Sequence, residues 1–198
     1  RTRLSFDKII FPHIQFQTKQ LQDMLVEMKK VYVYHTTKDD FSKEIEFYGT
    51  KYTLACGGLH TQDTPGVMIS TDDCVYVHFD LNSYYPSIVI AYKLCPKHLV
   101  QPVFTKMLAY FRDTRVKCKH TNDSEGYIIP GVPNKIAAEA LKIVINSIYG
   151  KFGSERFFLY DRFTQLQVTI NGQLMTMTLI EELELNGIHT ISANTDGI

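Results

Sequence analysis

Apolar positions lay out the elements of this chain before any chemistry is considered. Leu21, Met24, Leu25 and Met28 recur at helical spacing, so residues 17–30 read as an amphipathic helix, followed by a short strand over Val31–His35. Ile45 and Phe47, then Tyr52 and Leu54, alternate on either side of Gly49-Thr50, which predicts a tight hairpin. Gly57-Gly58 breaks its second strand, and the polar stretch Thr61–Asp73, with Pro65 and Gly66, reads as a loop. Val75, Val77 and Phe79 alternate with Cys74, Tyr76 and His78, predicting a strand with one buried face that ends at Asp80. Pro86 suits the first turn of a helix running to about Tyr92. Residues 103–120 read as a helix with Phe104, Leu108, Phe111 and Val116 inward. After a turn-rich connector over Thr121–Pro133, Asn134–Tyr149 reads as a second helix closed by Gly150, so an antiparallel helical hairpin is expected. Gln165–Ile170 alternates and is expected to be extended. Asn171 would then cap a helix over Gly172–Asn186, with Met175, Leu179 and Leu183 on one stripe and Gly187 as its stop. Ile188–Ala193 is the last predicted strand and delivers Asn194-Thr195-Asp196 to a turn. The expected fold class is α+β.

Composition narrows the picture modestly. The 198 residues suit one sizeable domain or two small ones, and no run of eighteen apolar residues points to a membrane partner. The first residues, Arg1 to Lys8, lack the apolar run of a secretion leader, and Arg1 is not a natural start, so a fragment of a longer cytoplasmic protein is expected. Lys plus Arg equals Asp plus Glu at 21 each. That balance counts against a nucleic-acid enzyme unless the basic residues cluster. Cys56, Cys74, Cys95 and Cys118 are scattered and read as reduced thiols. The pairs Cys56/His60 and Cys74/His78 do not have the spacing of a zinc finger.

Three constellations carry chemistry: Asp80-Leu81-Asn82-Ser83-Tyr84-Tyr85-Pro86-Ser87, then Lys142, Asn146, Ser147, Tyr149 and Gly150, then Asn194-Thr195-Asp196-Gly197. A carboxylate at a strand end is often a helix cap, and Asn-Thr-Asp-Gly is an ordinary turn. Here, however, Asp80 and Asp196 each follow an apolar strand, and adjacent strands would bring them together. Paired carboxylates repel, and hard divalent magnesium relieves that repulsion. Two such ions activate an attacking oxygen and stabilise a leaving one, which is the chemistry of phosphoryl transfer. Between the carboxylates, Lys142, Asn146 and Tyr149 fall on one helical face, and Arg112, Arg115 and Lys119 on another. Facing each other, they would make a cationic cradle for a triphosphate.

At this point the chain resembles the family B DNA-directed DNA polymerases. Asp80–Ser87 is similar to motif A, DxxSLYPS, with Tyr84 in place of Leu. Lys142–Gly150 matches motif B, KxxxNSxYG, and Ser192–Gly197 is similar to motif C, YxDTDS. The resemblance runs from about residue 52 to 198. It implies a palm-and-fingers core in which Asp80, Asp196 and the Leu81 carbonyl hold two magnesium ions, with manganese as a substitute. It implies that backbone amides near Ser83 and Tyr84 hold triphosphate oxygens, and that Tyr85 lies beneath the sugar and excludes a 2′-hydroxyl. Arg115, Lys119 and Lys142 would grip the triphosphate, Asn146 would lie beside the nucleotide, and Tyr149 and Gly150 would line the nascent base pair and template. Two departures stand out. Asn194 replaces the first motif C aspartate, and Ala55-Cys56-Gly57-Gly58 stands where relatives carry YxGG, leaving Gly57 and Gly58 for template contact. Tyr149-Gly150-Lys151-Phe152-Gly153 is similar to the YGKFA stretch of protein-primed phage and plasmid polymerases. This implies a phage or mobile-element origin, a bacterial host cytoplasm and a terminal priming protein as partner.

The implied organisation is an N-terminal helix and hairpin over 1–60, palm over 61–98, fingers over 99–151 and palm again over 152–198. The implied reaction is template-directed addition of deoxynucleoside triphosphates to the 3′-hydroxyl of a primer on template DNA. Because the sequence stops two residues after Asp196, the fragment alone is expected to be weak or inactive, with an open sheet edge. A non-catalytic DNA-binding remnant of a polymerase core is the alternative, with Asn194 and Gly197 as its support. RNA synthesis or reverse transcription is disfavoured by motif B and Tyr85.

Overall fold

The computed structural model describes residues 3–34, 41–62 and 66–198, which divide into two compact units, Arg1–Asn82 with Thr169–Ile198, and Ser83–Val168. His35, at the end of the predicted second-strand stretch, and Pro65, in the predicted loop, lie outside the described residues. Among the described residues the fold is mixed α and β, with six α-helices and two small antiparallel sheets. None of the helices is long and apolar enough to cross a membrane.

In the first unit, β1 (Arg3–Ser5) pairs antiparallel with β2 (Tyr32–Tyr34), enclosing α1 (Phe6–Ile9) and α2 (Lys19–Lys29). Leu21, Met24, Leu25 and Met28 form the buried face of α2, as their spacing predicts. A second sheet contains β3 (Ser42–Phe47), β4 (Thr50–Ala55) and β5 (Leu59–Thr61) in that order. The hairpin turns on Tyr48 and Gly49, one residue earlier than the pattern suggests. Both have positive φ, 48° and 82°, and Phe47 pairs with Thr50. Paired positive φ values match the right-handed twist of the flanking strands, and Gly49 takes the more demanding of the two at no steric cost.

α6 (Arg162–Leu185) overturns the extended reading of Gln165–Ile170. Leu166 and Val168 alternate with half-buried Gln165 and Gln167, but from Val168 to Leu174 every residue is buried, so the apparent strand period is a helix enclosed on nearly all sides. Asn171 is therefore not a cap. It sits mid-helix and fully buried, accepting from the Phe11 N–H at 2.6 Å and donating to the Ile9 carbonyl at 2.8 Å. The expected stripe of Met175, Leu179 and Leu183 is also wrong, since Leu179 is exposed and the buried line runs through Leu174, Met177, Ile180, Glu181 and Glu184. Gly187 does stop the helix. With φ of 77°, it donates to the Glu184 carbonyl while Ile188 donates to the Leu183 carbonyl, satisfying two terminal acceptors.

Tyr52 is fully buried in this unit. Burial, with the nearby Glu184 carboxylate adding to it, pushes its pKa up to about 12 against the partial relief of the Thr50 and Thr190 hydroxyls. Below pH 10 the phenol is neutral in both folded and unfolded chains. Above it the unfolded phenol ionises first, so stability falls from pH 10 until the folded group titrates near 12. Tyr52→Phe should flatten that alkaline limb. At pH 11 we expect it to retain about 1 kcal/mol more of its neutral-pH stability than the wild type, read from urea melts at pH 8 and pH 11. Identical alkaline losses in the two proteins would contradict the assignment.

In the second unit, α3 (Tyr84–Ala91) precedes a helical hairpin of α4 (Gln101–His120) and α5 (Asn134–Lys151). Phe104 and Leu108 are buried as expected, whereas Phe111 is half-buried, Val116 is exposed, and Cys118 takes the inward position instead. Cys118 packs with Ala137 and Ala138, and these small residues let the two helices approach closely beneath Ile129 and Val132. The connector is pinned by buried Asn134, whose side chain accepts from the Ile128 N–H and donates to the Gly126 carbonyl, while its own N–H donates to Asp123. Gly150 lies inside α5 and does not end it, because the helix continues to Lys151.

Candidate active site

Asp80 and Asp196 belong to the same unit. Neither of the strands predicted to deliver them is formed as a strand. Residues 75–79 lack a ladder, and Val75 and Val77 are 71% and 61% exposed. An alternating pattern becomes a strand when backbone partners meet it. Here antiparallel pairing is confined to Phe79–Leu81 against Asp196–Ile198. Ile188–Ala193 is likewise irregular; it touches the sheet first at Thr190, whose carbonyl accepts from the Thr50 hydroxyl at 2.8 Å, and its backbone joins β5 at Ala193, whose carbonyl accepts from the Thr61 N–H at 2.9 Å.

The sheet thus fades into single bridges, from His60 to Asn194, from Asn194 to Gly197 and from Gly197 to Asp80. This chain of bridges places the carboxylates. Asn194 and Gly197 exchange backbone hydrogen bonds around Thr195-Asp196, with Thr195 held at φ of 56°. The Leu81 N–H then donates to the Asp196 carbonyl at 2.8 Å, and Phe79 and Ile198 exchange two bonds of 2.8 and 2.9 Å. Leu81 stands next to both aspartates in this pairing.

The electrostatics follow. The Asp196 carboxyl is held above its ordinary range, first by partial burial and second by the Asp80 charge, with a smaller opposing contribution from a backbone hydrogen bond. A carboxylate raised by another carboxylate favours either a proton or a metal cation beside it. Hard oxygen donors with open positions suit magnesium, which takes few protein ligands and keeps water and phosphate oxygens. Among the described residues no larger group of His, Cys, Asp or Glu gathers, and the four cysteines are free thiols.

Several supporting residues were missed in the sequence. Thr176 on α6 donates to the Thr195 carbonyl at 3.3 Å, and the Thr195 N–H donates to the Leu59 carbonyl at 2.8 Å. These two contacts fix the turn that carries Asp196. Gly197 passes His78 so closely that a Cβ there would sit 3.2 Å from the imidazole Cε1. A lone threonine in a helix gives no sequence cue for such a role. Gly57 is exposed and Gly58 buried in the turn between β4 and β5, where the Ala55 N–H donates to the Gly58 carbonyl.

The remaining candidate residues lie in the second unit, and of these Ser83, Tyr84, Tyr85, Arg115 and Tyr149 come together at the first turn of α3. Ser83, preceding that helix, adopts a left-handed backbone with φ 51° and ψ 45°. Its Oγ accepts from the Arg115 guanidinium of α4 at 2.8 Å. Tyr85 packs against Tyr149 of α5 with ring centroids 4.6 Å apart, and Tyr84 stacks on Tyr85 at 5.7 Å. Three helices, α3, α4 and α5, therefore meet around Ser83 and Tyr85. Lys142 and Asn146 are exposed on α5, Lys119 is exposed on α4, and Gly150 is exposed one residue after Tyr149. Arg112 is occupied differently from expectation, because its guanidinium is paired with Asp113 at 2.8 Å.

No protein-family model matches the chain. It is similar to the catalytic polypeptide of DNA polymerase alpha from Saccharomyces cerevisiae, at 26% identity over 137 aligned residues covering 60% of this chain. The alignment spans 9% of that polymerase, so the likeness is to a small part of a much longer protein. It suggests a relationship to the family B polymerases.

Proposed function

We propose that this chain carries the nucleotidyl-transfer centre of a family B, template-directed DNA polymerase, with palm over 61–98 and 152–198 and fingers over 99–151. The observation that carries the reading is the backbone pairing of Leu81 with Asp196, which sets the motif A and motif C aspartates side by side. The likeness to a yeast DNA polymerase supports it independently of the geometry. Asp80, Asp196 and the Leu81 carbonyl would hold magnesium, or manganese in its place, which when bound activates the attacking oxygen and offsets charge on the leaving one. Arg115 and Lys142, with Lys119, grip the triphosphate, and Ser83 and Tyr84 offer backbone amides to it. Tyr85, braced by Tyr149, closes the space a 2′-hydroxyl would need. The primer 3′-oxygen bonds to the α-phosphorus and pyrophosphate leaves, without a covalent enzyme intermediate. Tyr149–Gly153 supports placement in the protein-primed subgroup, with a terminal protein supplying the first hydroxyl.

Primer extension by the longest polypeptide that carries this sequence is the direct test. Magnesium-dependent extension with deoxynucleotides, and little with ribonucleotides, is expected. DNA binding without metal-dependent nucleotide uptake would instead establish the remnant reading, which Asn194 and Gly197 in motif C favour.

The Ser83–Arg115 bond yields a finer expectation. Removing one neutral partner from a charged hydrogen bond costs about 1 kcal/mol, so Ser83→Ala should raise the KM for deoxynucleotides roughly three- to tenfold and leave kcat within about twofold. Steady-state kinetics on a primed template checks this. A fall in kcat with KM unchanged would show that the bond does not serve nucleotide binding.

A further inference from the structure

We propose that the first unit has a second, non-catalytic site for single-stranded nucleic acid, made by Arg3, Lys8, Lys29 and Lys30 around the exposed tyrosines of the β1–β2 ribbon. The inference goes beyond the polymerase reading and does not require it.

Register creates the platform. Arg3 pairs with Tyr34 and Ser5 with Tyr32, so these four side chains share one face of the ribbon, while Leu4 and Val33 share the other. Val33 is fully buried, and Tyr32 and Tyr34 are 55% and 41% exposed. The Arg3 guanidinium lies 4.8 Å from the Tyr32 ring centroid and 6.0 Å from that of Tyr34. Cation–π attraction of this kind holds both rings in a defined presentation.

Charge supplies the second half. A cleft of about 500 Å³ is lined by Arg3, Ser5, Asp7, Lys8, Lys29, Lys30 and Tyr32, four cations against one carboxylate. The whole chain is neutral, so this excess is a local concentration. No ion pair among the described residues involves any of the four. Lys29 and Lys30 stand at the end of α2, where cations also favour the helix dipole, but that does not account for Arg3 and Lys8.

The combination selects a ligand class. Lysines and an arginine attract phosphates without regard to sequence, and exposed aromatic faces stack on bases. A duplex hides the faces of its bases, and an acidic peptide has no such faces to offer. Single-stranded DNA or RNA presents both groups along one chain.

The test is fluorescence anisotropy of a labelled oligothymidylate with the 198-residue chain, in EDTA and without nucleotide, at several salt concentrations. Lys8 and Lys30 are both exposed, so the double variant Lys8→Glu/Lys30→Glu should fold normally, which far-UV circular dichroism verifies. It should weaken binding at least tenfold and reduce the slope of log affinity against log salt by about 1.4, at about 0.7 per lost single-strand phosphate contact. Tyr32→Ala should weaken binding about fivefold or more with the slope unchanged. Ultraviolet crosslinking of bromodeoxyuridine oligonucleotides should label the peptide that carries Tyr32 and Tyr34. Asp80→Asn should leave all of this intact, so failure of magnesium-dependent extension would sink the polymerase reading and spare this one. Unchanged affinity and slope in the double variant would overturn the proposal. So would crosslinks confined to other peptides, or a Tyr32→Ala protein that binds as the wild type does while polyglutamate competes.

Discussion

Asp80→Ala and Asp196→Ala should each lower magnesium-dependent nucleotide addition at least about a thousandfold, because each removes half of the carboxylate pair proposed to hold the metal. A readout that does not depend on turnover should move with it. Magnesium should raise the melting temperature of the wild-type chain and leave that of either variant unchanged. The electrostatics make the pairing itself measurable. Asp196 is raised by burial first and by Asp80 second. Asp80→Asn should therefore bring the Asp196 pKa down toward its ordinary range, visible in carbon-detected NMR titration of the side-chain carboxyl. The sign for stability follows from the raised value. The metal-free folded chain holds the Asp196 proton more tightly than the unfolded chain, so this contribution is present at low pH and is lost as pH rises through the folded pKa. Asp196 is largely solvent-screened, which keeps the effect small. Polymerisation that survives either alanine substitution, with the magnesium-induced stabilisation intact, would show that the metal site lies elsewhere.

How much of this site was legible in the sequence depends on the range over which each cue acts. The helical spacing is a local cue and it holds: Lys142, Asn146 and Tyr149 lie on one continuous helix, as their spacing requires. The convergence on Ser83 and Tyr85 was not legible, because it depends on where α4 and α5 pack against α3. Strand periodicity misled at both carboxylates. Alternation in 74–79 describes what the residues would do beside a partner, and the ladder there extends just from Phe79 to Leu81. The largest error was α6. Asn171 was expected to cap an end, yet it is buried mid-helix together with the polar residues Gln173, Glu181 and Glu184. Each binds backbone from another segment. Gln173 clamps the N–H and carbonyl of Ala55 at 2.9 and 2.8 Å, Glu181 accepts from the N–H groups of Gln17 and Thr18, and Glu184 accepts from the N–H of Thr190. A helix that buries polar pegs on several sides has no clean apolar stripe, so hydrophobic periodicity could not find it.

The same pegs predict the largest stability effect in the first unit. Asn171→Leu should destabilise the chain by about 3–4 kcal/mol, since it strips partners from two buried backbone groups, the Phe11 N–H and the Ile9 carbonyl. Each orphaned group costs about 1–3 kcal/mol, and the leucine gains little because the position is already fully buried in the wild type. For a chain of this length that corresponds to a fall in melting temperature of roughly 10 °C. Asn186→Ala is the matched control. Its amide also donates to a helix carbonyl, that of Glu182, but at an exposed position where water replaces the bond, so a change within about 0.5 kcal/mol is expected. Hydrogen exchange should localise the damage, with the Phe11 amide losing protection in Asn171→Leu. If Asn171→Leu melts with the wild type and Phe11 stays protected, the polar pegs do not hold the N-terminal segment to α6. If they do hold it, the loss should also reach the candidate site, because Thr176, little more than one turn further along the same helix, supports the turn that carries Asp196.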